Sequence, residues 1–467
     1  MGLSLARQAQ AKPNSQSKPN IVYINIDDMG WSDPSFMGSR YYETPHIDRL
    51  AKQGVVFTNA YAPAANCAPS RACCMSGQYS PRHGIYTVGN ADRGKAIHRQ
   101  LIPTENRTIL PDDILTIPEA LQSAGYATCH VGKWHLGEDP TTQGIDVNIG
   151  GTTYGHPRSY FSPYKNKVLK DGPKGEYLTD RLTNDAIAFV NNHKNQPFFL
   201  YLSYYAVHTP LQAKQEIIEK YKNKPGTRTH NNPVYAAMIE TLDRNIGKVM
   251  QTLDDLGLTD NTFVVFTSDN GGVYRITRQW PLRAGKGSYY EGGIREPMIV
   301  RWPGKVKPGA KCHVPVSGID FFPTFLDIAG IQKPQNKILD GQSLKPLLTG
   351  EGDLPQRPLF WHFPIYLQRG NGETADPLFR TRPGTAMRLG EWKLIEYFED
   401  NRLELYNLKH DLAEKNNLAN TLPGKTQELH ARMKAWRKRL NAPVPNQPNP
   451  QYDAEKEHKA IVNWYQN

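Results

Sequence analysis

Cys67, Pro69 and Arg71 carry the most informative chemistry of this chain. They open the run CAPSRACCMSG, from Cys67 to Gly77. A cysteine, a rigidifying proline and an arginine at this spacing form a string that certain cells read as an instruction to oxidise the cysteine. Two further clusters are Asp27 with Asp28 and Asp269 with Asn270. Adjacent carboxylates repel unless a cation or a proton relieves them. Three carboxylates and one amide suit a hard divalent ion, Ca2+ or Mg2+, and offer no soft ligand to hold zinc. Asp, Asn and Gly are also ordinary turn residues, and a turn accounts for either pair alone. Taken with the CxPxR string, the two pairs favour the ion.

What precedes these residues decides where they stand. An apolar, β-branched run from Ile21 to Ile26 empties directly into Asp27 and Asp28, and the run Phe263 to Phe266 leads to Asp269 and Asn270. The spacing predicts helices over Ile47 to Gln53, Ile117 to Ala124, Asp180 to Asn191 and Val234 to Leu256. Strands are predicted at Val55 to Phe57, Ala127 to Val131, Phe198 to Ser203 and Thr262 to Phe266. Helices alternating with short apolar strands predict an α/β fold with a mostly parallel sheet covered on both faces. Ligands of such sheets sit outside the carboxyl ends of the strands, which puts both pairs at one functional edge.

Bulk properties narrow the classes. At 467 residues the chain exceeds one ordinary core, so a large domain with an appendage or two comparable domains is expected. Hydrophobic residues at 38% and charged residues at 22% are globular proportions. A mean hydropathy of −0.61 and no long apolar run argue against a membrane span. The cysteines Cys67, Cys73, Cys74, Cys129 and Cys312 are odd in number and contain no CxxC, which indicates neither a disulfide framework nor a zinc cluster. The net charge of +11 favours polyanionic partners. Its basic residues are scattered and no nucleic-acid motif is present, so a sulfated or other anionic polymer is preferred over nucleic acid. The segment Met1 to Ala11 ends in Ala9-Gln10-Ala11 and reads equally as the tail of an export signal, without an apolar core, or as a disordered start. A periplasmic or secreted location is expected.

Eight blocks carry a family resemblance. They are IDDMGW (Ile26 to Trp31), CAPSRACCMSG, GKWHLG (Gly132 to Gly137), VHTP (Val207 to Pro210), TSDNGG (Thr267 to Gly272), GKGSYYEGGIR (Gly285 to Arg295), DFFPTFLDIAG (Asp320 to Gly330) followed by DGQSLKPLL, and ELYNLKHDLAEKNNLA (Glu404 to Ala419). In order and spacing the chain resembles the type I sulfatases of the alkaline phosphatase superfamily from Pro19 to the last helix. The resemblance implies that a maturing enzyme, a formylglycine-generating or an anaerobic sulfatase-maturing enzyme, converts Cys67 to formylglycine. It implies a hydrated aldehyde as nucleophile: one geminal hydroxyl attacks sulfur, and the other lets the sulfated product collapse back to aldehyde. Met75 stands where the family commonly has Leu. The resemblance further implies that Asp27, Asp28, Asp269 and Asn270 hold calcium, which also touches residue 67. Lys133 and Lys286 then clamp sulfate oxygens, and Arg71 holds the formylglycine. His135 serves as the base for sulfate elimination and His208 as the acid for the leaving alcohol, two roles that exchange without contradicting the sequence.

Substrate contacts are expected from Arg275, Arg278, Trp280 and Arg283, between the metal block and Lys286, since guanidinium groups suit carboxylate or sulfate and an indole suits a sugar face. A solvated basic loop explains them equally. Trp361, His362, Arg380 and Arg382 are expected at the pocket rim. The expected organisation is an export remnant or disordered start over 1–18, an alkaline-phosphatase-like catalytic domain over 19–350, a small domain with an antiparallel sheet and one helix over 351–440, and an extended Pro/Asn-rich tail over 441–467. A sulfuric ester hydrolase acting on a sulfated carbohydrate, with galactose 4-sulfate in a marine galactan as the substrate, is the expected activity. The alternatives are a phosphoester or phosphonate hydrolase of the same superfamily and a non-catalytic binder of sulfated glycan.

Overall fold

The computed structural model describes residues 18–368 and 376–466. The expected export remnant, Met1 to Ala11, lies outside the described residues. The main sheet has nine strands: β1 (Asn20–Ile26), β2 (Val55–Tyr61), β3 (Ala127–Gly132), β4 (Val147–Ile149), β5 (Phe198–Ser203), β6 (Thr262–Ser268), β7 (Arg295–Arg301), β8 (Ala310–Cys312) and β9 (Val316–Ser317). Their order is β4-β3-β5-β1-β6-β7-β2-β8, with β9 also on β2. From β4 to β6 every pairing is parallel, whereas β7 runs antiparallel to both β6 and β2. The sheet is mixed at one side and parallel at the centre, where the site residues emerge.

β1 shows why it occupies the middle. All seven of its residues are buried. Val22, Ile24 and Ile26 face one hydrophobic cluster, while Ile21 and Tyr23 face the other. The period of two along a strand thus serves both faces at once. The first cluster is closed by the helices Leu178–His193 and Pro233–Asp255, the second by the helices Ile117–Ser123 and Phe321–Ile328. Asn232 starts the longest helix by accepting the backbone N–H groups of Val234 and Tyr235.

A second, antiparallel sheet is formed by β10 (Leu359–Phe363), β13 (Gly384–Leu389), β14 (Trp392–Tyr397) and β15 (Leu403–Asn407) in that order; between the first two of these lie β11 (Leu367–Gln368) and β12 (Phe379–Thr381), which pair with each other. The helix Pro423–Leu440 packs on it through Trp436, whose ring stacks on Phe360 at 4.3 Å. The tail differs from its expected extended form. Its first part runs back along the body, with Asn449 donating to the Gln100 carbonyl, but Ala454–Gln466 is a helix. Glu457 of that helix accepts from Arg382 at 2.6 Å, an anchor that an eye for proline and asparagine does not find.

A buried ion cluster joins the small sheet to the body. Lys393 on β14 lies 3.0 Å from Glu291 and 2.8 Å from Glu414, with all three side chains fully buried. Against the effect of burial, Lys393 and Arg295 hold Glu291 below the usual carboxylate range. Removing one partner of such a cluster strands the others in low dielectric, at a cost of about 3–5 kcal/mol. Lys393→Met is therefore expected to lower the unfolding free energy by about that amount in urea titration, and a change of less than about 1 kcal/mol would refute the interdomain role.

Candidate active site

Strand register brings the site together. Ile26 pairs with Ser268 across β1 and β6, and Gly132 with Ser203 across β3 and β5. The residues that follow these ends, Asp27 and Asp28, Asp269 and Asn270, and Lys133, therefore meet at one carboxyl edge. The turn after β5 adds His208. Asp28 and His135 both adopt left-handed backbone conformations, φ 63° and 65°, which are uncommon outside glycine and concentrate at functional sites.

The helix Cys67–Ser76 starts at the nucleophile candidate and is buried along its whole length. Its N-terminal N–H groups favour negative charge beside Cys67. Burial opposes ionisation of the Cys67 thiol, but Lys133 and Lys286 outweigh it and bring its pKa below the ordinary value. Burial moves Cys73 and Cys74 the other way, Cys73 to about 12. These two are packing thiols, and Cys67 is the one in an electropositive setting.

One turn along the helix, Arg71 is 1% exposed. Its guanidinium donates to Asp269 through Nε at 2.9 Å, to the Lys133 carbonyl at 2.9 Å, and to Ser203. None of its hydrogen bonds among the described residues goes to Cys67. Arg71 instead fixes the carboxylate and the loop on either side of residue 67, because a side chain this long, leaving a buried helix, reaches past its own first turn.

The oxygen cluster fits a hard cation. Lys133 Nζ lies 2.7 Å from Asp27 Oδ2, and Lys286 Nζ lies 2.5 Å from Asp28 Oδ1 and 3.9 Å from Cys67 Sγ. Asn270 donates through Nδ2 to Asp28 Oδ1 at 2.8 Å. Asp27 Oδ1 and Asn270 Oδ1 are buried without a hydrogen-bond partner. Buried oxygens left unpartnered beside two more carboxylates are costly for a protein to keep unless a ligand satisfies them. One oxygen of Asp27, one of Asp269 and Cys67 Sγ lie within 4.8 Å of one another.

Burial disfavours the charged form of both histidines. Burial, then Lys133, Arg71 and Lys286, depress His135 well below its ordinary value. Gly155 makes room for this ring, since a Cβ there would lie 2.6 Å from His135 Cε1. Burial lowers His208 to about 4, with Asp28 pulling the other way. His208 Nδ1 donates to the Thr209 carbonyl at 2.8 Å, which leaves Nε2 toward Asp28 Oδ2 at 3.5 Å.

A cavity of about 180 Å³ opens over these groups, lined by Cys67, His135, His208, Lys286, Arg93 and Arg380 among others. Of the expected substrate contacts, only Arg380 lines it. Arg278, Trp280 and Arg283 line a different groove, and Arg283 is tied to the Glu414 carbonyl at 2.8 Å. Arg275 is an exposed residue of the same loop and lines neither cavity. The loop is drawn there because Gln279 accepts from Ser32 N–H at 2.7 Å and donates to Asp33 at 3.0 Å, which pins its middle to the turn after β1. His362 is buried between Thr385 and the Pro443 carbonyl, Trp361 donates to the Ala62 carbonyl, and Arg382 is held by Asp376, Glu399 and Glu457. These three are structural because small-sheet packing consumes their polar atoms. Sequence reasoning missed Arg93 and His156; His156 stacks on His208 at 6.0 Å, and neither belongs to a block that a strand end would flag.

Known proteins resemble this chain in sequence and fold. The sequence profile of the family described as Sulfatase matches residues 19–331, and that of the N-sulphoglucosamine sulphohydrolase C-terminal region matches 285–442. A sulfatase of Formosa agariphila is 33% identical, covering 94% of this chain and 92% of its own. An N-acetylgalactosamine-6-O-sulfatase of Bacteroides thetaiotaomicron is 31% identical, with 91% of this chain and 95% of its own covered. The solved structure of Ps i-CgsB in complex with k-i-k-neocarrahexaose superposes with a TM-score of 0.74 at 31% identity, over 96% of this chain and 97% of that one. With the profile spanning most of the chain and relatives matched nearly end to end, this chain belongs to the sulfatase family and is a sulfuric ester hydrolase.

Proposed function

We propose that the chain is a formylglycine- and calcium-dependent carbohydrate sulfatase, with a galactose-configured sugar sulfated at O4 as its substrate. The observation that carries the formylglycine reading is the placement of Cys67 at a helix start, between two lysines and against four converging oxygen ligands. Sulfate bears its charge on oxygens that only a strongly positive, dry site stabilises in transfer. Oxidised and hydrated, residue 67 supplies a geminal diol as nucleophile, and a calcium ion held by Asp27, Asp28, Asp269 and Asn270 supplies charge to the sulfate oxygens. Magnesium satisfies the same donor set less readily, because it demands stricter geometry.

The protein groups divide the remaining work. Lys133 and Lys286 bring two ammonium charges to the sulfate. His208 has Nδ1 committed to the Thr209 carbonyl, so the proton it delivers to the leaving alcohol oxygen is carried on Nε2, where Asp28 Oδ2 at 3.5 Å favours it against the opposing effect of burial. Burial first, and then Lys133, Arg71 and Lys286, favour the neutral form of His135, whose free ring nitrogen is suited to accept a proton as sulfate departs. The phosphoester alternative loses weight because, among the described residues, the candidate metal-ligand clusters all draw on Asp27 and no separate His and Asp set converges for a second metal. An inert binder has no use for the acid and base.

An N-acetylgalactosamine sulfatase among the relatives and a neocarrahexaose bound to a structural neighbour support a galactose-configured sugar. A location in the periplasm or outside the cell accords with such substrates. In the test, enzyme is made in a host with a maturing enzyme, the Cys67 peptide is read by mass spectrometry, and sulfate release is assayed on defined sulfated mono- and oligosaccharides. The expected result is aldehyde in place of thiol and faster release from galactose 4-sulfate than from its 6-sulfate isomer. Activity with an unmodified thiol would sink the formylglycine reading. The reverse isomer order would move the assignment to the 6-position.

A further inference from the structure

The loop between the metal block and Lys286 does not line the catalytic cavity, and what it builds instead is a second groove. That groove has a volume of about 790 Å³ and is lined by residues 227–229, Tyr274, 278–283 and 413–415. It shares no lining residue with the catalytic cavity. Trp280 stands on it with 73% of its surface exposed, the most exposed of the large hydrophobic side chains among the described residues. Arg228, Arg278 and Lys415 are exposed around it and form no ion pair among the described residues. Arg278 lies over the Tyr274 ring, its guanidinium carbon 5.3 Å from the ring centroid. The one carboxylate in the lining, Glu414, is buried and turned inward to Lys393.

The groove is built to hold its shape. Gln279 and Thr277 anchor the loop to Asp33, which also accepts from the Tyr235 hydroxyl at 2.7 Å and the Gly30 N–H at 2.8 Å. A water-exposed indole costs the protein solubility, and surface cations without acidic partners leave a positive potential over the groove. An aromatic face for a sugar ring, flanked by cations for sulfate, fits an anionic glycan; an exposed apolar protein partner leaves the arginines unmatched.

We propose that this groove is a non-catalytic binding site for a sulfated polysaccharide, which holds the polymer while the catalytic cavity works on another part of it. The proposal rests on the carbohydrate sulfatase reading for its ligand class. Its test uses the full chain with Trp280→Ala and with Arg228→Ala/Arg278→Ala, in affinity electrophoresis against dextran sulfate, neutral dextran and phosphatidylserine vesicles. Lys434→Ala/Lys438→Ala, which removes two exposed charges from the helix Pro423–Leu440, is the charge-matched control. The expected result is retardation by dextran sulfate weakened about tenfold in both groove variants and little changed in the control, with kcat/KM on a sulfated monosaccharide unaltered. Unchanged retardation in the groove variants, an equal loss in the control, or Trp280-dependent binding of neutral dextran or vesicles in place of dextran sulfate would each overturn it. If no sulfated sugar is hydrolysed, the functional reading fails separately, because the electrophoresis does not depend on turnover.

Discussion

Cys67→Ser is expected to lower kcat by a factor on the order of 10⁴ or more, with a single stoichiometric release of alcohol before turnover stops. A serine hydroxyl at the helix start keeps a nucleophilic oxygen near the lysines, so the attack has a route. Its sulfate ester lacks the second hydroxyl that would expel sulfate by collapse, and His135 then has no proton to take. Rapid-quench measurement of alcohol and sulfate separates the steps: alcohol appears once per enzyme and sulfate does not follow. Cys67→Ala should show neither. Continued turnover by the serine variant within about a hundredfold of the wild-type rate would refute the geminal-diol mechanism.

Stripping the divalent cation is expected to reduce activity at least about a hundredfold, with calcium restoring it. The unpartnered oxygens Asp27 Oδ1 and Asn270 Oδ1 motivate this, since a cation is the simplest group to satisfy both at once. The same ion should stabilise the fold, by about 2.7 kcal/mol when its concentration is a hundred times its Kd. Thermal unfolding with and without calcium reads that term without any substrate. Asn270→Ala is the informative variant, because it leaves the ion pairs Lys133–Asp27, Lys286–Asp28 and Arg71–Asp269 in place. It should raise the calcium concentration needed for half-maximal stabilisation about tenfold or more. A chelated enzyme shown to be metal-free and fully active would remove the four oxygen ligands from the mechanism.

The residues gathered around Cys67 were legible in the sequence because most of them follow a strand end or open a helix, Arg71 and Lys286 being the exceptions. Short-range patterns mark those positions: an apolar β-branched run ending in Asp27 and Asp28, another ending at Asp269 and Asn270, and the CxPxR string at Cys67. A parallel register then leaves little choice about where such ends meet. The substrate-facing residues were not legible for the opposite reason. Arg278, Trp280 and Arg283 precede Lys286 in the chain, yet Gln279 and Thr277 are bound to Asp33, some 245 positions away, and carry the loop off to another groove. Arg382 has the composition of a sulfate ligand and is spent on Asp376, Glu399 and Glu457. The helix Ala454–Gln466 hid behind a proline-rich approach.

By itself, then, the sequence determined the α/β fold and the family, and singled out Cys67 as the candidate reacting residue. Tertiary structure alone decided that Arg71 serves Asp269, that His135 sits among cations while His208 faces a carboxylate, and which arginines reach the cavity. The division has a physical cause. Backbone periodicity and turn chemistry act over a few residues, whereas the partners of a long polar side chain are chosen by packing between segments hundreds of positions apart.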